Sequence, residues 1–312
     1  MNHFLVCVNA VVPMFLILAT GYLVRRTGML RDEDLPRMNN VAFRVFLPVM
    51  LFYHVYCSDL SSAVRPALMA YAVLGILGAY LLGLGFVLLV EKSPDKRGVM
   101  IQGIYRCNYV IMGVPVATAL LGKGNLGPIA ILIAVVVPEL NVLAVITLTV
   151  FRGGKLHPGR MVLDILKNPL IIGSCLGLLV LLSGLRLPQF LVTAVEYMGD
   201  VATPLQLFLL GAFFRFDGLR RYKRELLYVT AWRLVIIPAV FLGLAALLGF
   251  RGVEFVSLIG AFASANAISS FTMTQQMGGD AELAGDIVVV TSALVCFTMF
   301  LWILLFQWLG VF

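Results

Sequence analysis

Apolar residues run along this chain in long blocks, and polar residues gather in the short gaps between them. About 20 consecutive apolar residues cross a bilayer as a helix. On that rule the blocks predict ten spans, at 4–24, 38–57, 67–90, 99–121, 127–151, 169–184, 190–214, 225–249, 254–276 and 284–310. The sixth is short, and the apolar approach from Met161 to Leu166 extends it. Composition agrees: 61% of residues are hydrophobic and 12% charged, against roughly 25% charged in a soluble globular chain. The expected fold class is an all-α polytopic membrane protein.

The gaps then set orientation. The loops after spans one, three, five and seven carry sixteen Lys and Arg, whereas the opposite side carries only Arg65, Lys123, Arg186 and Arg251. Basic residues concentrate on the cytoplasmic side, so the odd-numbered loops are expected inside and both termini outside. The net charge of +7 follows this topology and implies no nucleic-acid partner. Arg25-Arg26 follows the first apolar run rather than preceding it, unlike a cleavable signal. The five cysteines are scattered, with no metal-ligand spacing.

Gly103 to Gly122 reads GIYRCNYVIMGVPVATALLG. Pro115 removes a backbone hydrogen bond and crowds the preceding turn. In lipid, a break there is tolerated only where it packs in protein or lines a cavity. Spans interrupted by Gly and Pro are pointers to transporter binding sites; an ordinary proline kink is the competing reading.

Sliding the chain by 156 residues, half its length, places Pro13 on Pro169, Gly21 on Gly177, Gly28 on Gly184 and Gly122 on Gly278. Pro48-Val-Met-Leu-Phe52 falls on Pro204-Leu-Gln-Leu-Phe208. The halves 1–156 and 157–312 would each hold five spans, so the second must run inverted, as in many transporters. The same shift sets Gly103–Gly122 on Ile259–Gly278, which lacks proline but carries Ser264, Asn266, Ser269, Ser270, Thr272 and Thr274. Small polar residues can serve helix packing alone; opposite a broken span they also suit a binding site.

Asn168-Pro169-Leu170-Ile171-Ile172 with Gly177-Leu178, the Arg106-x-Asn108…Gly113-Val114-Pro115 segment, and Gly278-Gly279-Asp280 resemble the auxin efflux carrier family across the whole chain. That family includes plant PIN carriers and bacterial malate and malonate permeases. The resemblance implies two inverted five-helix repeats, related to the bile-acid symporter and NhaA-type folds. Spans one, two, six and seven would form a scaffold that dimerises. Spans three to five and eight to ten would form a transport domain, with the fourth and ninth broken and crossed. It further implies a homodimer in the cytoplasmic (inner) membrane that carries an organic anion, typically a carboxylate, by an elevator-like movement. The ninth span departs from the pattern by lacking the proline of some members.

Broken helices present unpaired N–H groups and the positive end of their dipole. A carboxylate could dock there, with amides from Asn108 and Asn266, hydroxyls from Ser264, Ser269 and Ser270, and the backbone shape set by Gly113 and Pro115. Gln206 is a candidate on the scaffold face; a Gln bonded between helices is the alternative. Arg44, Arg106 and Arg233 lie about two turns into their spans, within reach of the interface by snorkelling. Arg106, two residues before Asn108, could instead pair the anion. Glu139 lies roughly 18 Å from either end of its span, too deep to snorkel. With Asn141 it could carry a proton, join a cation site or pair an arginine, so H⁺ or Na⁺ is a possible coupling ion; no cofactor or resident metal is expected. Glu196, Asp200 and His54 are expected at the interface.

A sodium-coupled bile-acid-type symporter is the alternative within transport. No HExxH, GxSxG or paired-Asp motif points to an enzyme. A membrane receptor or scaffold is the remote alternative, for which no long soluble segment is seen.

Overall fold

The computed structural model describes residues 3–57, 66–121, 127–151 and 166–312, and among them every regular element is a helix. The loop residues Arg65, Lys123, Arg152, Lys155, His157 and Arg160, together with Gly122 and the approach 161–165, lie outside the described residues. The helices are α1 (His3–Arg26), α2 (Asp34–Val41), α3 (Leu47–Tyr56), α4 (Pro66–Val90), α5 (Pro94–Tyr105), α6 (Val114–Leu121), α7 (Gly127–Phe151) and α8 (Pro169–Ser183). Then come α9 (Gln189–Phe213), α10 (Phe216–Arg221), α11 (Lys223–Ala231), α12 (Ile237–Leu247), α13 (Gly252–Ala263), α14 (Ser269–Met277) and α15 (Ala281–Trp308). Among the described residues, the stretches Pro66–Val90, Pro94–Leu121, Lys223–Leu247 and Ala281–Trp308 are each long and apolar enough to cross a bilayer. The chain is a multi-pass membrane protein.

Local chemistry explains where several helices start and bend. Asn168 caps α8 by accepting from the Leu170 N–H at 3.0 Å, with Pro169 in the first turn, where a missing N–H costs nothing. Among the described residues, three wide π-turns, Ala42–Phe46, Tyr109–Gly113 and Trp232–Ile236, each end two residues before a proline: Pro48, Pro115 and Pro238. A proline ring crowds the carbonyl four residues earlier, and widening the turn relieves the crowding. Pro13, Pro138 and Pro204 lie inside helices without such a turn.

α1 lies along α9 and also packs against α15, and α3 lies along both α8 and α9. α4, α5 and α7 pack together, as do α12 with α13 and α14 with α15. The largest apolar core lies around Ile101, Ile104, Leu258, Ile259 and Ile287, and takes in Val11 and Met14 of α1 and Leu207 and Leu210 of α9. Large apolar side chains such as Leu89, Leu179, Leu247 and Trp308 are strongly exposed, as lipid-facing positions should be.

Gly21 packs against the backbone carbonyl of Phe208, leaving no space for a Cβ. Gly177 packs in the same way against the carbonyl of Phe52. Each partner of the first contact is shifted by 156 residues in the second, with the halves exchanged.

Candidate functional site

The stretch Pro94–Leu121 opens at Arg106, Cys107 and Asn108, which are not helical. Arg106 is extended (φ −78°, ψ 126°) and Asn108 has φ −90°, ψ 62°. A second opening, Ser264 to Ile268, separates α13 from α14. The two openings meet: the Asn108 N–H donates to the Ala265 carbonyl at 2.9 Å. Each break thus supplies a partner for a backbone group that the other leaves open, which a membrane interior requires. Gly113 and Gly260 make the crossing close enough, since a Cβ on Gly260 would lie 2.7 Å from the Gly113 Cα.

Arg233, from the π-turn between α11 and α12, is fully buried at the carbonyl ends of both first halves. Its Nε donates to Ser264 O at 2.8 Å, Nη2 to Ala261 O at 3.0 Å and Nη1 to Tyr105 O at 3.3 Å. A cation at helix C-termini offsets the negative end of their dipoles.

The N-terminal ends of the second halves face elsewhere. Residues 106–111 and 267–269 line a cavity of about 80 Å³, several times the ~10–15 Å³ that one water needs on the same measure. The opposing wall comes from α3 and α9, through Leu47, Met50, Leu51, His54, Thr203 and Gln206. Arg106 is 2% exposed and sits in the cavity wall. Its Nη2 donates to Asn141 Oδ1 at 2.7 Å and Ser269 Oγ at 2.9 Å, and its Nη1 to Gln102 Oε1 at 3.0 Å. Among the described residues no carboxylate pairs with it. The Asn108 Nδ2 is buried without a hydrogen-bond partner. A cationic wall, an open amide donor and two positive helix ends suit a small anion.

A family model described as membrane transport protein matches residues 6–303. The chain belongs to this family, the auxin efflux carriers. It is a membrane transporter. Its relatives include an uncharacterized transporter of Methanocaldococcus jannaschii, 24% identical over 96% of this chain and 97% of the relative. An uncharacterized transporter of Methanothermobacter thermautotrophicus is 22% identical over 94% of this chain and 96% of its own. A candidate malonate transporter of Rhizobium meliloti is 23% identical, covering 91% of each chain.

In this transporter the cavity gathers Arg106, Asn108, Asn141, Gln206 and Ser269 from the residues singled out in the sequence. The others lie apart from it. Ser264 is fully buried under Arg233, which takes its carbonyl and hydroxyl. Asn266 Oδ1 accepts from Ser270 Oγ at 3.0 Å, and the Asn266 N–H donates to Thr291 Oγ1 at 3.2 Å, so this pair shapes the second opening from behind. Gly113 serves the crossing, and Pro115 is exposed. Glu139 is half-buried outside the wall, and its Oε2 has no partner. The ninth span breaks without a proline. Snorkelling does not describe Arg106 or Arg233, which are 2% and 0% exposed; Arg44 is exposed. His54, expected at the interface, lines the cavity. Its neighbourhood was signalled by the repeated Pro48 and Pro204 blocks. Leu47 and Thr203, and likewise Met50 and Gln206, are pairs 156 apart that face the cavity together.

Proposed function

We propose that this transporter carries a small organic anion, a short carboxylate, through the cavity at the crossing. One observation carries the reading: the cavity takes the N-terminal ends of both broken helices and the unpaired Arg106, while Arg233 occupies the carbonyl ends. Charge at the cavity is therefore one-sided, and an anion balances it. The relative named for malonate supports the same class.

The reading extends to ten crossings in two inverted halves, 1–156 and 157–312, supported by the exchanged contacts of Gly21 and Gly177. α1 to α3, α8 and α9 form the scaffold, and the remaining helices form a transport domain that moves past it. The cavity lies between these groups, as an elevator site would. Glu139, with a buried oxygen lacking a partner, is the group proposed to couple transport to H⁺ or Na⁺.

Counterflow in proteoliposomes tests the proposal. Vesicles loaded with unlabelled malonate or lactate are expected to accumulate the labelled acid from outside. Absence of exchange for every short carboxylate, with folded protein in the vesicles, would remove the assignment.

A further inference from the structure

A second cavity, of about 250 Å³, lies away from the crossing, between α9 and the helices α14 and α15. Leu210, Phe213, Phe271 and Asp286 line it. It sits at the end of the molecule that carries Arg215, Arg220 and Arg221, the side that the basic-residue count predicts to be cytoplasmic. Asp286 is 1% exposed. Its Oδ2 is turned to Gly218 of α10 and is buried without a hydrogen-bond partner. Glu282, one turn earlier on α15, meets the same point. A Cβ on Gly218 would lie 2.3 Å from Asp286 Oδ2 and 3.2 Å from Glu282 Oε1.

The charged groups on the elements around Asp286 are engaged elsewhere or exposed. Arg221 of α10 pairs with Glu282 at 3.4 Å, and Arg215 reaches Asp32 at 3.6 Å, as Arg25 of α1 does at 2.8 Å. Lys96 of α5 pairs with Glu225 of α11 at 2.7 Å, and both Lys96 and Arg221 lie over the Tyr222 ring. Asp280 caps α15 at the Leu283 N–H, and Arg233 holds the carbonyls at the crossing. Asp217, Arg220, Lys223 and Arg224 are exposed. α14 and the stretch of α9 at the cavity carry no titratable group. Among the described residues, therefore, no cation pairs with Asp286, and a second carboxyl stands beside it. A carboxylate taken out of water without a partner is costly, and a like charge beside it adds to the cost. A proton removes both.

We infer that Asp286 is a proton-binding site that senses the packing of α15 on α9 and α10. The carboxyl holds its proton while these helices are packed. When they part, the O–H bond breaks, the proton passes to water in the cavity and the carboxylate remains. The cavity has room for several waters at ~10–15 Å³ each. Acid on this side favours the packed arrangement and alkali favours parting, whatever solute is carried. Glu139, on α7, does not line this cavity, so the site is separate from the coupling group proposed above.

Infrared difference spectroscopy on the full-length protein in lipid bilayers tests this without any substrate. At about pH 6, well above the ordinary aspartate value of ~3.9, the unaltered protein is expected to show the C=O band of a protonated carboxyl. The band should disappear on alkalinisation, be missing from Asp286→Asn and persist in Glu139→Gln. A band that stays in folded Asp286→Asn, or that vanishes in Glu139→Gln instead, overturns the assignment. So does its absence from the unaltered protein. Hydrogen exchange reads the packing at one fixed pH of about 8. Amides of residues 281–286 and 216–222 are expected to exchange several-fold faster in the unaltered protein than in Asp286→Asn, which cannot ionise. Equal exchange would overturn the link between the proton and the packing.

Discussion

Arg233 donates to three backbone carbonyls at the ends of two half-helices, so removing it orphans acceptors that no water can readily reach. Leaving a buried group unpaired costs about 1–3 kcal/mol. Arg233→Met is therefore expected to destabilise the protein by about 3 kcal/mol or more, seen as a lowered thermal-unfolding midpoint in detergent. Arg233→Lys keeps the charge without the planar fork and should fall between the two. An unchanged midpoint for Arg233→Met would mean that the crossing does not depend on this side chain. None of this was legible in the sequence. Depth along a span says how far a side chain lies from the interface, but not whether it faces lipid or core. Arg106 was legible only through its neighbour Asn108. Ser264, Asn266 and Ser270 stand in the right segment, yet local bonds turn them to Arg233, Thr291 and one another.

The helices themselves were largely legible because lipid requires unbroken apolar lengths. The expected 127–151 coincides with α7 (Gly127–Phe151), and 67–90 differs from α4 by one residue. The openings were harder. Pro115 marks the broken span but not the position of the break, because the π-turn Tyr109–Gly113 absorbs the ring and the chain opens upstream at 106–108. Pro48 and Pro238 produce the same widened turn with no opening at all. What the opened segments share is a partner: Asn108 N–H has Ala265 O, and the carbonyls on the other side have Arg233. A break is stable here because tertiary contacts complete it. Proline is neither sufficient, as Pro48 shows, nor necessary, as the second opening shows.

At the scale of the whole molecule, the proposed inversion of the two halves would place Met29 and Leu185, 156 residues apart, on opposite sides of the membrane. Both are exposed, next to glycines that end α1 and α8. With exposed Cys57 and Cys175 replaced, Met29→Cys should react with an impermeant maleimide only from the cytoplasmic side, and Leu185→Cys only from outside. Labelling of both from one side would contradict the inversion. The matched contacts of Gly21 with Phe208 and Gly177 with Phe52 were legible because glycines at shared spacing mark backbone geometry. The cavity was not, since it needs α3, α9 and the crossing brought together.

The proposed anion site at the crossing is tested most directly by malonate affinity, measured by calorimetry on purified, monodisperse protein with Asn108 intact and with Asn108→Ala. The open Nδ2 donor and the positive helix ends predict measurable malonate binding that weakens by about tenfold or more when the amide is removed. Equal affinity in the folded variant would contradict a carboxylate bound at Asn108.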